Sequence, residues 1–403
     1  MIAKLYQKII PNQLYHTAYL LLDLMVISLQ LLKEVKLEVL AESLPLPILL
    51  ESRRRKVRRF LRLKNFTLET IWFPCVTALL EEMFNPKDRI YLVIDRTSWS
   101  LINILMVSVV YDHRAWPIYW TLLDKKGNSN LSEQKAVLSK SMELLSAYDV
   151  VVLGDREFCS TKLGHWLAEH KVYFCLQQKC DTKVLPENEV YQELRDYGLK
   201  PGMKLFLNDL QVTKNNGFGT FNVACKWKRN YRGVKTKEPW YILTNFEDLN
   251  TAIVSYKKRF AIEEMFRDFK SGGYSLEGSK LGTESLSKLI IVIAIAYTSA
   301  ILQGREIKKM GIQKYFVRPE TKSQSGRRHS GATQGRFTRP LESAPSAFYV
   351  GQHQYHWLYL GQIPEKIVEE LLRINRRWVK HYKKGKRARE QALSMLQASL
   401  SPC

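Results

Sequence analysis

RIYLVIDRTSW (89–99), INILMVSVVYD (102–112) and AWPIYWTLLD (115–124) are the runs whose reading decides the fold. Each is short, rich in β-branched and aromatic residues, and closed by a turn-like break, which is the pattern of a β-strand. A helix-like stretch follows at about 131–147, then a buried strand DVVVLGD (149–155), a helix near 160–170 and a strand VYFCLQQ (172–178). Three strands, a helix, a strand, a helix and a strand predict a mixed α/β domain in which one central sheet carries flanking helices.

Outward from this block the texture changes on both sides. Residues 181–239 are polar and irregular with short alternating runs, KLFLNDLQVT (204–213) and FNVACKWKRNYRG (221–233), and predict a β-rich insertion. PWYILTNF (239–246) resumes the strand pattern. A long helix is expected from about Asn250 to Lys270 and a second, apolar one from about Ser285 to Leu302. Residues 1–88 read as helical, punctuated by Pro45 and Pro47. The expected organisation is therefore a helical, basic region 1–88, an α/β domain 89–310 and a basic C-terminal region 311–403. In the last, the Ser-, Gly- and Arg-rich stretch 323–346 reads as a flexible connector, and INRRWVKHYKKGKRARE (374–390) reads as a helix.

The charge balance narrows the function. The 403 residues hold 62 Lys and Arg against 39 Asp and Glu, a formal net charge of +23. An excess of this size implies a polyanionic partner, and nucleic acid is the commonest. The excess is locally concentrated: ESRRRKVRRFLRLKNF (51–66) has eight Lys or Arg between Arg53 and Lys64 with no acid among them. Such a helix repels itself unless an anion neutralises it, so Arg53, Arg54, Arg55, Arg58 and Arg59 are candidate DNA contacts. The six cysteines have no CxxC pairing or zinc spacing, which suits reduced thiols. There is no secretory pattern at the N-terminus. The run TAYLLLDLMVISLQLL (17–32) is interrupted by Asp23 and short of the roughly 20 apolar residues a bilayer needs. A cytoplasmic, nucleoid-associated protein without a membrane partner is expected.

Two aspartates stand where apolar strands end: Asp95 in YLVIDRTSW and Asp155 in VVVLGDREF. A carboxylate fixed at a strand end is placed to hold a divalent metal if the two strands are neighbours, although many such aspartates only close turns. In the helix TAIVSYKKRFAIEEMFRDFK (251–270), Tyr256, Arg259, Glu263 and Lys270 fall within an arc of about 60° at about 100° per residue. One face then carries a carboxylate, two cations and a phenol, suited to a metal with phosphates beside it; a plain Arg259–Glu263 pair on an exposed face is the bland alternative.

With these residues in place the chain resembles the DDE insertion-sequence transposases with the YREK signature, the insertion-sequence-four family. The signature is Tyr, two residues, Arg, three residues, Glu, six residues, Lys, as in Tyr256, Arg259, Glu263 and Lys270. Asp95 and Asp155 look like the two catalytic aspartates, the second in its DRE context, and Trp240 is similar to the tryptophan that stacks on a flipped base. Arg96 directly after Asp95, and Phe158 where alanine is usual, depart from the pattern. The resemblance covers about residues 90–300. It implies a ribonuclease-H-like mixed sheet and metal-dependent cleavage at an element's terminal inverted repeats. It also implies strand transfer into target DNA through a hairpin intermediate, and a homodimer in the synaptic complex. Asp95, Asp155 and Glu263 would hold two Mg2+ ions, with Mn2+ tolerated; Tyr256, Arg259 and Lys270 would grip phosphates. Two rival readings stay open: a ribonuclease-H-like structure-specific nuclease, and a decayed copy that only binds DNA.

Overall fold

The central sheet grows from the meander that the alternating runs predict. The structure is a computed structural model that describes residues 2–44, 46, 48–186, 190–213, 219–229 and 238–309. Its strands are β1 (Arg89–Trp99), β2 (Ile102–Tyr111), β3 (Arg114–Leu122), β4 (Asp149–Gly154), β5 (Tyr173–Gln177), β6 (Lys183–Leu185), β7 (Gln192–Glu193), β8 (Lys204–Val212), β9 (Thr220–Lys226) and β10 (Trp240–Thr244). Its α-helices are α1 (Lys4–Gln7), α2 (His16–Leu32), α3 (Leu37–Ser43), α4 (Leu50–Phe60), α5 (Phe73–Met83), α6 (Leu131–Leu144), α7 (Thr161–Glu169), α8 (Leu249–Lys257), α9 (Phe260–Phe269) and α10 (Thr283–Lys309). Contacts divide the chain into two compact units, Leu68–Gly272 and Met1–Thr67 with Gly273–Cys403.

In the first of these units β1, β2 and β3 pair antiparallel. Asp112 and His113 both take positive φ, 48° and 60°, which matches the right-handed strand twist and closes the β2–β3 hairpin in two residues. β3 is the edge strand, so Pro117, which has no N–H to give, is tolerated there beside a bulge. β4 then runs parallel to β1, and β5 parallel to β4. Parallel neighbours need a crossover, which α6 and α7 provide. Asn130 starts α6 with a capping box: its side chain accepts from Glu133 N at 2.9 Å, and Glu133 Oε2 accepts from Asn130 N at 2.7 Å.

The sheet order is β3-β2-β1-β4-β5-β10-β9-β8-β6-β7. Its first five strands, three antiparallel and two parallel with β1 central, form the ribonuclease-H-like mixed sheet, and the expected α/β class is the observed one. The β-rich residues after 180 are not a separate piece. β9 pairs antiparallel with β10 and β8 with β9, so these strands lengthen the same sheet.

The other unit is helical. α10 is apolar on every side and buried from Leu289 to Tyr297, and it packs on α2. Polar ties fix it: Gln30 Nε2 donates to Ala296 O at 3.0 Å, Tyr6 Oη to Thr298 Oγ1 at 2.9 Å, and Ala3 N to Ser299 Oγ at 3.0 Å. The expected division at residues 88 and 310 therefore differs from the compact units. The segment from Leu68 through α5 clusters with the sheet. α10, whose apolar surface needs cover on all sides, clusters with the N-terminal helices. Sequence reading also took 17–32 as the only apolar run worth testing against a membrane. Thr283–Glu306 is longer and apolar enough to cross one, and 83% of its most apolar window is buried inside the structure, as in the core helix of a globular unit. The expected C-terminal region 311–403 lies outside the described residues.

Candidate active site

β1 and β4 bring the two aspartates together. Their parallel register runs to Ile94 opposite Gly154, so Asp95 and Asp155 are the next residues on neighbouring strands. Gly154, just before Asp155, leaves room for Phe158 and Leu176: a Cβ there would lie 2.8 Å from Phe158 Cβ and 3.0 Å from Leu176 Cδ2. Asp155 caps the short turn Arg156–Phe158, its Oδ1 accepting from Glu157 N at 2.8 Å. Asp95 Oδ1 accepts from Arg96 N at 2.7 Å. Burial first, then the charge of Asp155, pushes the Asp95 carboxyl up to about 7, against the opposing pull of Arg259.

The expected single helix 250–270 is two. The backbone tightens at Lys258 and Arg259, where Lys258 N bonds Ser255 O and Arg259 N bonds Tyr256 O, and α8 hands over to α9. Of the four residues placed on one face, Tyr256, Arg259 and Glu263 stay together across the break, Arg259 Cζ lying 5.7 Å from the Tyr256 ring centre, and Lys270 lies apart. Arg259 is buried at the break and spans two carboxylates, Nη2 lying 2.6 Å from Glu263 Oε1 and Nη1 lying 3.9 Å from Asp95 Oδ2. Glu263 stands one guanidinium away from Asp95, with its side chain 51% exposed. Tyr256 is fully buried; its hydroxyl donates to Gln177 Oε1, and burial pushes the phenol up to about 12. Its ring lies beside Arg259. Lys270 leaves the helix at its end, Nζ reaching Ser98 O at 3.4 Å and lying 5.4 Å from the Trp99 ring centre.

Trp240, half-buried at the start of β10, stands edge-on to Tyr256 with ring centres 5.2 Å apart and lies 5.7 Å from Phe260. Lys228 Nζ sits over its ring at 4.6 Å. Sequence reasoning missed Lys228. It also gave no role to Arg96 and Glu157, which cross-brace the two aspartate strands: Arg96 Nε donates to Glu157 Oε2 at 2.8 Å and Nη1 to Asn103 Oδ1 at 3.0 Å. Glu157 Oε1 takes further bonds from Ser129 N and Oγ at 2.8 and 2.7 Å. Their position beside each aspartate in DRT and DRE was the available signal.

A family model described as transposase DDE domain matches residues 87–299, more than half of the chain. The chain belongs to the DDE transposase family. No curated protein matches. Among solved structures, the DDE transposase chain is similar to a cryo-EM structure of the piggyBac transposase synaptic complex with hairpin DNA. The identity is 11% over 85% of this chain and 87% of that one, with a TM-score of 0.38.

The donor chemistry of this DDE transposase can be set against the divalent metal that its family implies. Asp95 and Asp155 are hard oxygen donors, adjacent and mutually repelling, and suit such an ion. The third carboxylate is not gathered with them. Among the described residues no group of three or more His, Cys, Asp or Glu side chains is arranged to hold a metal, and Glu263 is paired with Arg259 instead.

The raised Asp95 carboxyl has a measurable consequence. It holds its proton in the folded enzyme up to about pH 7, whereas its ordinary value is 3.8. The folded state thus binds the extra proton, and its contribution to stability is lost as pH rises from about 4 to about 7. Metal-free melting temperature should fall across that interval, and added Mg2+ should restore it only at the upper end. A calorimetric series checks this; a flat profile would contradict the assignment.

In the helical unit of the transposase the basic run is not uniform. Arg54 is engaged by Glu38 at 2.9 Å and Glu51 at 3.5 Å, and Arg53 Nε donates to Ile48 O at 2.9 Å. The acids that relieve α4 precede the run and so escaped a search within it. Arg55, Arg58 and Arg59 are exposed, as are Lys56, Arg62 and Lys64.

Proposed function

We propose that this DDE transposase cuts DNA at the terminal inverted repeats of its own element and joins the freed ends to target DNA, in a cut-and-paste reaction passing through a hairpin. The observation that carries the reading is the pair of aspartates on neighbouring parallel strands, Asp95 within β1 and Asp155 directly after β4, with Arg259 linking Glu263 to Asp95. The spacing of Tyr256, Arg259, Glu263 and Lys270 supports placing the chain in the insertion-sequence-four subgroup.

Asp95 and Asp155 would hold the metal, and Glu263 would complete the set on leaving Arg259. Bound Mg2+, two ions with Mn2+ tolerated, supplies Lewis-acid stabilisation of the charge that builds on the phosphoryl oxygens. Arg259, released from Glu263, is then free to pair with a phosphate, for which a guanidinium is well shaped. Lys270 gives a second cation beside the end of β1. A hairpin needs a sharply bent backbone with one base extruded, and the exposed part of Trp240 would receive that base once Lys228 moves off its ring, a contact of about 1–3 kcal/mol. Arg55, Arg58 and Arg59 on α4 would hold duplex DNA by its phosphates. Two copies would act together to hold two ends, in the cytoplasm on nucleoid DNA.

The test is strand transfer: purified protein, linear DNA carrying the inverted repeats that bracket the gene, a target plasmid and Mg2+. Joined product is expected. Cut but unjoined DNA would mark a structure-specific nuclease, and neither cutting nor joining would mark a copy that only binds.

A further inference from the structure

On the lengthened part of the sheet three residues stand in one cross-strand row. Lys204 of β8 pairs with Lys226 of β9, and Lys226 pairs with Trp240 of β10. Residues directly opposite in antiparallel strands project to the same face, so two lysines and the tryptophan share it. α8 packs on β9 and β10, and Lys257 at its end adds a third ammonium close to Lys226. Lys228, two residues beyond Lys226, adds a fourth and reaches Trp240 at 4.6 Å. Burial, then Lys257, Lys204 and Lys228 in that order, pulls Lys226 below its ordinary value. Among the described residues no carboxylate is paired with Lys204, Lys226 or Lys257.

Like charges placed opposite each other weaken a strand pair, and three elements converge here to do so. An arrangement that costs the free protein stability is explained by an anion that joins it. Adjacent strands lie about 4.8 Å apart, so Lys204 and Lys226 stand in a row that ends at Trp240, beside the candidate active site.

We propose that Lys204, Lys226 and Lys257 form a track for the backbone of the DNA strand that leads away from the active site past Trp240. The inference rests on the reading of the chain as a DNA-cutting transposase. It assigns the strands after β5 a role of their own: they carry the substrate strand as well as extend the sheet.

The experiment measures binding of a fluorescein-labelled mixed-sequence duplex by anisotropy over a salt series, using the full chain. The Lys204→Gln/Lys257→Gln double variant should bind more weakly, and the slope of log affinity against log salt should shrink by about 2, close to 0.9 for each phosphate contact. Its melting temperature should stay level or rise, since mutual repulsion is removed; a merely structural pair of lysines would lower it. Lys204→Arg/Lys257→Arg should keep the wild-type slope, as should Lys140→Gln on α6. An unchanged slope in the glutamine variant, or an equal loss in the arginine variant, overturns the track. Mg2+-dependent nicking by the wild type, run alongside, reports on the function separately. A wild type that binds without cutting sinks the function while the slope still decides the track, and one that binds no DNA sinks both.

Discussion

Asp95→Asn should lower Mg2+-dependent strand cleavage by at least about 1,000-fold, roughly 4 kcal/mol in the barrier, and leave duplex binding intact. The amide has the size of the carboxylate, so the fold is kept; only the charge that would hold the metal is gone. Asp95 is also repelled by Asp155 and desolvated, so a neutral group there should raise the melting temperature above about pH 7. Opposite movement of activity and stability separates a site residue from a packing residue, which would lose both together. Asp155→Asn should lose cleavage to a similar extent. Its carboxylate also caps the turn at Glu157, so it should gain less stability than the Asp95 variant. Single-turnover nicking assays and thermal melts check both, and wild-type cutting by either variant would end the assignment.

Arg114→Met should destabilise the Leu68–Gly272 unit by about 3–5 kcal/mol, the usual cost of stripping one partner from a buried ion pair. Arg114 opens β3, and its Nη1 lies 2.9 Å from Asp268 Oδ2 on α9, where the Asp268 side chain has 0% exposure. Methionine fills the volume but leaves that carboxylate without its guanidinium. Glu264 is 3.9 Å from the same nitrogen, so it loses a partner as well. The bond ties α9, and with it Glu263, to the edge strand. Urea unfolding followed by tryptophan fluorescence should show the loss, and a change under about 1 kcal/mol would place the two charges in water.

The sheet and its two aspartates were legible because both depend on local pattern. Apolar runs of strand length fix β1 to β5, and an aspartate ending each of two such runs needs only parallel register to meet its twin. The helix carrying Glu263 was read as continuous because spacing alone contains no sign of the tightening at Lys258 and Arg259. That break depends on what α8 and α9 each pack against. Tyr256 was legible as part of a motif, but spacing carried no sign of its full burial. The Arg96–Glu157 brace joins residues 61 apart in sequence, and such long-range pairing of polar residues has no periodicity to betray it. Nor did the boundary at residue 88 follow from composition. α5 is amphipathic like the helices before it, and only tertiary contact assigns it to the sheet.

The break at Lys258 and Arg259 also bears on how such an enzyme can change over time. α8 rests on β4, β5, β9 and β10, and α9 on β1, β2 and β3, so the surfaces that would handle a base and those that would carry out the cut belong to separate helices. Substitutions in the α8 half could retune which ends are gripped, and how firmly, without disturbing Glu263. A lineage of mobile elements would then be able to diversify the DNA it accepts while inheriting its chemistry unaltered.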